Sequence, residues 1–114
     1  MTPFSFLFLS HLVGDYLFQT SWMAAQKKHN WTALLVHCTV YTLTVAAAAF
    51  FTFGGLSVIA VIFVFVTHVI IDKFFIVQWW IKHVMKPPQS ETKWLTIMAD
   101  QTFHLIILAI ALFL

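Results

Sequence analysis

The sequence has few charged residues, which excludes an ordinary soluble domain. Of its 114 residues, 9% are charged and 61% are hydrophobic, and its mean hydropathy is +0.92. Soluble domains carry about 25% charged residues, so the composition indicates an integral membrane protein. The length allows four helices of about 20 residues, each crossing about 30 Å of hydrocarbon. We therefore expect residues 1–114 to form a single transmembrane domain.

Common functional motifs are also missing. The single cysteine, Cys38, excludes an intrachain disulfide and is interpreted as a small buried side chain. The sequence has no glycine-rich phosphate loop, no nucleophile elbow and no nucleic-acid-binding motif, so we expect no nucleic-acid partner. The N-terminal stretch lacks a basic start and a small-residue cleavage site, and we expect it to remain in the mature protein.

Four apolar runs predict four membrane-spanning helices, because backbone polar groups in hydrocarbon must be satisfied within the segment. Polar KKHN at 27–30, the two glycines of 53–57 and the proline pair of 86–93 separate the runs. The prediction is an all-α, antiparallel four-helix bundle in the membrane. Its helices are expected at about residues 3–20, 32–53, 56–81 and 94–114.

The lysines predict the orientation of the bundle. Five of the six lie in or beside the first and third connections, at positions 27, 28, 82, 86 and 93. The positive-inside rule then places these connections in the cytoplasm and both termini outside. The tryptophans cluster near the same two connections, as an interfacial belt would.

Ionisable residues inside the apolar runs follow a helical spacing. The chain has four acidic residues, and three of them lie four positions from a histidine. The three pairs are His11 with Asp15, His68 with Asp72, and Asp100 with His104, and the second run offers His37 with Tyr41. Residues i and i+4 share a helix face. At a rise of about 1.5 Å per residue, most of these groups reach overlapping depths, which predicts one polar site inside the bundle.

Divalent metal is the partner that best accounts for such a site. A carboxylate at the bilayer centre costs about 2.5–3.5 kcal/mol on insertion scales. Imidazole and carboxylate ligands suit zinc best, with iron or manganese as alternatives. Seven candidate ligands exceed the need of one tetrahedral ion and suggest two ions: His11, Asp15, His37, His68, Asp72, Asp100 and His104. A hydrogen-bonded or proton-relay network is the open alternative.

Further residues are candidates for catalysis and support. Asp15 or Asp100 is the candidate general base. Gln19, Tyr41 and Gln101 are candidates for orienting ligands, although each could equally join two helices by hydrogen bonds. Lys73 is a candidate to pair with a carboxylate, hold a substrate phosphate or extend toward the cytoplasm.

Four motifs carry a resemblance to a known family. They are HLVGDYLFQT near the start, LLVHCTVY in the second run, HVIIDK in the third and ADQTFH in the fourth. With them the chain resembles the bacterial membrane family catalogued as domain of unknown function 3307, over nearly its whole length. The resemblance implies the bacterial inner membrane as location. A looser likeness is to bacterial inner-membrane proteins described as metal-dependent hydrolases.

Three functions remain open. The first is an intramembrane metal-dependent hydrolase that acts on an amphipathic, lipid-like substrate. The second is a divalent-metal or proton transporter, since paired His and Asp in facing helices also resemble the transport site of cation diffusion facilitators. Four short helices would then have to work as a homo-oligomer. The third is a structural or regulatory membrane subunit without catalysis.

Overall fold

The computed structural model describes residues 2–27, 29–73 and 76–114, and all regular structure within these ranges is helical. The α-helices are α1 (Pro3–Leu12), α2 (Ser21–Gln26), α3 (Trp31–Phe53), α4 (Val58–Lys73), α5 (Ile76–Trp80) and α6 (Thr92–Ala111). Two π-helical segments, Val13–Leu17 and Ile81–Met85, continue α1 and α5. A short 3₁₀ segment, Gln89–Glu91, leads into α6.

Local sequence signals explain where α3 begins and ends. The Asn30 side chain accepts hydrogen bonds from the amides of Thr32 and Ala33, at 2.9 and 3.4 Å, as an N-cap does. The helix ends at Gly54, whose φ of 97° is left-handed and suits glycine. The resulting helix starts one residue before the expected 32–53.

The first and third expected helices differ from the structure in length. Instead of reaching residue 20, the first helical segment ends at Leu17, and Thr20 caps a separate helix, α2, by accepting from the Met23 amide at 3.2 Å. The third expected helix, 56–81, starts at Val58 as α4. It includes residues 74 and 75, which lie outside the described residues.

Helices α1, α3, α4 and α6 contact one another in a ring: α1 packs on α3 and α6, and α4 also packs on α3 and α6. An apolar cluster fills the ring toward the 53–57 turn. It consists of Leu7, Tyr41, Val45, Ala49, Ala60, Val64, Leu108 and Ala111. The polar residues His11, Asp15, His37, His68, Asp72 and His104 are also buried. Large apolar side chains such as Phe51 and Ile59 are exposed instead.

Two described helices are long and apolar enough to cross a membrane, Trp31–Phe53 and Gln89–Ala111. The count rises to three if Val58–Lys73 and Ile76–Met85, which meet at an angle of 61°, form one bent span. Together with the exposed apolar side chains, this indicates association with a membrane. The first expected span, at residues 3–20, has 10 residues of α-helix followed by 5 of π-helix.

Candidate metal centre

Four buried side chains from three segments converge at the centre of the ring. Asp15 comes from the π segment, His37 from α3, and His68 and Asp72 from α4. His37 Nε2 lies 3.2 Å from His68 Nε2, 3.2 Å from Asp15 Oδ1 and 3.5 Å from Asp72 Oδ2. His68 Nε2 lies 3.0 Å from Asp72 Oδ2 and 3.9 Å from Asp15 Oδ1. We call these four atoms the four-donor cluster.

Five of the six separations within the four-donor cluster are close to those in the coordination shell of a small cation. Zinc binds nitrogen and oxygen at about 2.0–2.2 Å, so the ligand atoms of a tetrahedral site lie about 3.3–3.6 Å apart. The five separations given above, out of six pairs, range from 3.0 to 3.9 Å. Two neutral imidazoles with two carboxylates are also a chemically suitable set for zinc, iron or manganese.

A second group of donors lies beside the first. It contains Asp15, Asp100 and His104, each with a ligand atom within 4.8 Å of the others. Asp15 therefore belongs to both groups. Asp72 also faces both, because its Oδ1 lies 4.0 Å from His104 Nε2 while its Oδ2 lies in the four-donor cluster. Either group could hold a metal ion, and Asp15 is shared by both.

The hydrogen bond made by His104 favours its use as a ligand. Its Nδ1 lies 2.7 Å from the Asp100 carbonyl oxygen, and since a carbonyl oxygen only accepts, Nδ1 must carry the proton. In the neutral ring, the Nε2 lone pair then points into the buried site. Metal-binding histidines commonly donate their other N–H to a backbone carbonyl in this way.

Buried atoms without hydrogen-bond partners test whether metal fits. Among the described side chains these atoms are Asp15 Oδ1, Nδ1 of His37 and His68, His104 Nε2 and Thr42 Oγ1. A buried polar atom without a partner costs about 1–3 kcal/mol. Metal ligation would satisfy His104 Nε2 and would give Asp15 Oδ1, which lies 3.2 Å from His37 Nε2, a further partner. Nδ1 of His37 and His68 stays without a partner in either case.

His11 lies in a hydrogen-bonded chain beside the donor groups. Its Nδ1 lies 2.7 Å from the Tyr41 hydroxyl, and its Nε2 lies 2.5 Å from Gln101 Oε1. Gln101 Nε2 in turn donates to Asp100 Oδ2 at 3.3 Å. If His11 is neutral, the Tyr41 hydroxyl donates to His11 Nδ1 and His11 Nε2–H donates to Gln101 Oε1. Every hydrogen bond of the chain is then directed toward Asp100. His11, expected as a ligand, lies outside the candidate metal-binding groups found among the described residues, in a position to orient Asp100 through Gln101.

The π segment and a close helix contact position Asp15. The Phe18 amide bonds to the Val13 carbonyl at 3.0 Å, five residues back, which widens the turn. Asp15 therefore points to His37 rather than sharing a target with His11. Gly14 permits the approach of this segment to α3, because a Cβ there would lie 3.3 Å from Tyr41 Cα and 3.2 Å from Tyr41 Cδ2.

Changing Gly14 to alanine is expected to destabilise the protein by about 1–3 kcal/mol, because the added methyl presses on the backbone of α3. The substitution should also weaken zinc binding, because the added methyl group would displace the neighbouring Asp15 from its position beside His37. Thermal unfolding in detergent and zinc titration measure the two effects. Gly54→Ala is the matched control: its Cβ meets nothing within 4 Å, so only backbone strain should lower stability. Unchanged zinc affinity in Gly14→Ala would contradict this role.

A cavity of about 260 Å³ opens beside the donor groups. Its wall includes all three aspartates of the site, together with Gln19, Lys27, Gln78, Thr96 and Gln101. Asp100 is the most accessible of the three, with 33% of its side chain exposed against 8% for Asp15 and 5% for Asp72. Since a water molecule occupies about 30 Å³ of liquid, the cavity has room for several waters or a small polar group.

The family model described as "Protein of unknown function (DUF3307)" matches residues 4–114. The chain belongs to the DUF3307 family. Neither the curated proteins nor the solved structures gave a match. Because the description of DUF3307 names no activity, any function for this chain has to be argued from the site itself.

Two lysines of this DUF3307 chain extend in different directions. Lys73 was a candidate to pair with a carboxylate, hold a substrate phosphate or extend toward the cytoplasm; its Nζ lies 4.6 Å from the centre of the Trp31 ring, and Lys73 is not among the residues of the cavity wall. It extends away from Asp72 because adjacent helix positions point about 100° apart. Lys27 reaches the site instead, with Nζ 3.6 Å from Asp72 Oδ2 and 3.0 Å from Gln19 Oε1.

Sequence reasoning also missed Cys38 in this family member. Interpreted as a small buried side chain, Cys38 is buried, but its sulfur belongs to a third group with His68 and Asp72 in which the ligand atoms lie within 4.8 Å. The signal for Cys38 was its position next to His37. For Lys27, no spacing rule applied, because it follows α2, a separate short helix that packs on α3.

Proposed function

We propose that the chain is an intramembrane metal-dependent hydrolase that acts on an amphipathic, lipid-like substrate. The observation that carries the proposal is the four-donor cluster, joined through Asp15 to a second donor group at the wall of a cavity. Two divalent ions, zinc foremost with iron or manganese as alternatives, would occupy the two groups. A mixed set of imidazoles and carboxylates is typical of hydrolytic metal sites.

The two groups suit different tasks. The four-donor cluster offers four protein ligands, as closed structural sites do, whereas the second group offers only Asp15, Asp100 and His104. Three protein ligands leave a position for water or substrate, as in catalytic zinc sites. When bound there, a divalent ion would acidify water and stabilise negative charge that develops on the substrate.

Besides contributing a ligand to the second group, Asp100 is the residue we assign as general base. It is more accessible from the cavity than Asp15, and the amide of Gln101 holds its Oδ2. A carboxylate oxygen of Asp100 would take the proton of water as the water oxygen bonds to the substrate carbonyl carbon or phosphorus. The same proton would pass to the leaving group when its bond breaks. Asp15, whose Oδ1 faces His37, is assigned to metal binding.

Hydrolysis is favoured over transport by what lies beyond the site. A transport path would have to cross the apolar cluster that begins at Tyr41 and continues through Val45 and Val64. The cavity, in contrast, is bounded by residues of the other end of the ring, such as Gln19 and Thr96. A site open toward one end suits a substrate that enters and leaves by the same route.

In this proposal the ring is an antiparallel four-helix bundle in the bacterial inner membrane, with both termini outside the cytoplasm. The lysines near the cavity end, Lys27 and Lys82 among them, would then face the cytoplasm. The substrate would reach the cavity from the cytoplasmic leaflet. Ile97 and Tyr16 at the cavity wall are both exposed and would contact the apolar portion of the substrate.

Metal removal tests the proposed activity. Protein purified in detergent should hydrolyse at least one member of a panel of short-chain lipid esters, amides and phosphoesters, lose that activity on chelation and regain it on addition of zinc. Activity should depend on metal because an ion held by the second donor group would acidify the water from which Asp100 takes a proton. Turnover that survives complete metal removal would refute the hydrolase. Zinc uptake into proteoliposomes that depends on His68 would favour the transporter.

A further inference from the structure

A positively charged side chain stands where the cavity meets the donor groups. Lys27 follows α2, and its Nζ lies 3.6 Å from Asp72 Oδ2. Charge-assisted N–H···O contacts are usually about 2.7–2.9 Å long, so the contact with Asp72 is loose. The direct hydrogen bond of Lys27 goes to a neutral group, Gln19 Oε1, at 3.0 Å. Its side chain is 19% exposed.

Metal binding would change the electrostatics around Lys27. An ion bound by Asp72 Oδ2 would lie about 2 Å from that oxygen and would repel the ammonium group. Gln19 would still hold Lys27 at the cavity wall, because the amide oxygen is not a ligand. Two divalent ions and Lys27 bring five positive charges against the three aspartates that line the cavity. An excess of two positive charges in a buried site needs a compensating anion.

We propose that Lys27 anchors a phosphate group of the substrate in this cavity. The inference rests on the proposed function and adds to it the chemical class of the substrate, a phosphate ester. A phosphate monoester carries about 1.5–2 negative charges at pH 7, which matches the excess. The amide of Gln78 and the hydroxyl of Tyr16, also at the cavity wall, can contribute further polar contacts. Lysine is a common phosphate-binding residue.

The test uses full-length protein in detergent, loaded with zinc and freed of excess metal. Inorganic phosphate is titrated in one arm and a short-chain phosphatidic acid in the other, both followed calorimetrically. Lys27→Met should weaken the binding of either probe by about 10- to 100-fold, the loss expected for a charge-assisted hydrogen bond. Lys27→Arg, which keeps the charge, should retain most of the affinity.

Lys82→Met is the control, because Lys82 is exposed and lies outside the cavity wall. It should leave phosphate binding unchanged. Zinc content is measured for every variant, and Lys27→Met should keep its zinc because it removes only a competing cation. Stronger binding of the phosphatidic acid would identify a lipid phosphate, whereas equal binding of the two probes would identify a soluble phosphate ester.

The possible contrary results separate the anchoring role of Lys27 from the proposed function. Zinc-loaded wild-type protein that binds neither probe, or a Lys27→Met variant that binds as the wild type does, would overturn the anchoring role and leave the metal centre standing. Loss of zinc from Lys27→Met would make Lys27 a structural support and would also overturn it. Absence of zinc from the wild type would instead refute the proposed function.

Discussion

Changing His68 to alanine is expected to lower zinc affinity by more than about 100-fold, which exceeds the usual cost of losing a supporting residue outside the ligand shell. His68 Nε2 lies 3.2 Å from His37 Nε2 and 3.0 Å from Asp72 Oδ2, so it is central to the four-donor cluster. Its removal leaves three donors around the position. Competition titration with a chromogenic chelator measures the affinity.

His83→Ala is the matched control for this experiment. His83 is exposed, and its Nδ1 lies 3.0 Å from the Trp79 carbonyl oxygen, so its loss should not change zinc affinity. Far-ultraviolet circular dichroism of both variants establishes that the helices persist. If folded His68→Ala protein bound zinc as tightly as the wild type, the four-donor cluster would not be the metal position.

Changing Asp100 to asparagine is expected to lower the hydrolytic rate by about 10²- to 10⁴-fold, the usual contribution of a general base. The amide keeps the shape of the carboxylate but cannot accept a proton. The ion in the four-donor cluster should stay bound, because Asp100 is not part of that cluster, whereas the second group, which loses a carboxylate ligand, should bind its ion more weakly. Turnover of the substrate found in the panel and zinc content are measured on the same preparation.

Glu91→Gln provides the same chemical change away from the site. Glu91 accepts a hydrogen bond from the Trp94 indole N–H at the start of α6, so its substitution should leave turnover unaltered. An Asp100→Asn enzyme with wild-type turnover would contradict the assignment of the base. Loss of all metal from Asp100→Asn would make Asp100 an essential ligand of the four-donor cluster.

The helical character of the chain and the burial of its polar groups were predictable from local patterns. Asn30 and Gly54 mark the ends of α3 because capping and left-handed turns depend on neighbouring residues alone. The His68 and Asp72 pair was predictable for the same reason, since positions four apart on a helix meet. Which other groups join this pair depends on how the helices pack.

The remaining details depend on departures from regular helix that spacing does not encode. The π segment at Val13–Leu17 separates the targets of His11 and Asp15, which an uninterrupted α-helix would have aimed together. Lys27, which follows α2, contacts Asp72 on α4, and these residues are distant in sequence. Tyr41 was expected either to orient a ligand or to join two helices, and helix packing decided its partner, His11 on α1.

The most direct test of the metal centre is elemental analysis of protein purified in detergent, compared with its Asp15→Asn variant. Asp15 belongs to both donor groups, so the wild type should contain close to two equivalents of a divalent metal and the variant less than one. Circular dichroism on the same samples reports whether both are folded. A folded wild-type protein without stoichiometric metal, after growth in zinc-, iron- and manganese-supplemented media, would contradict the account.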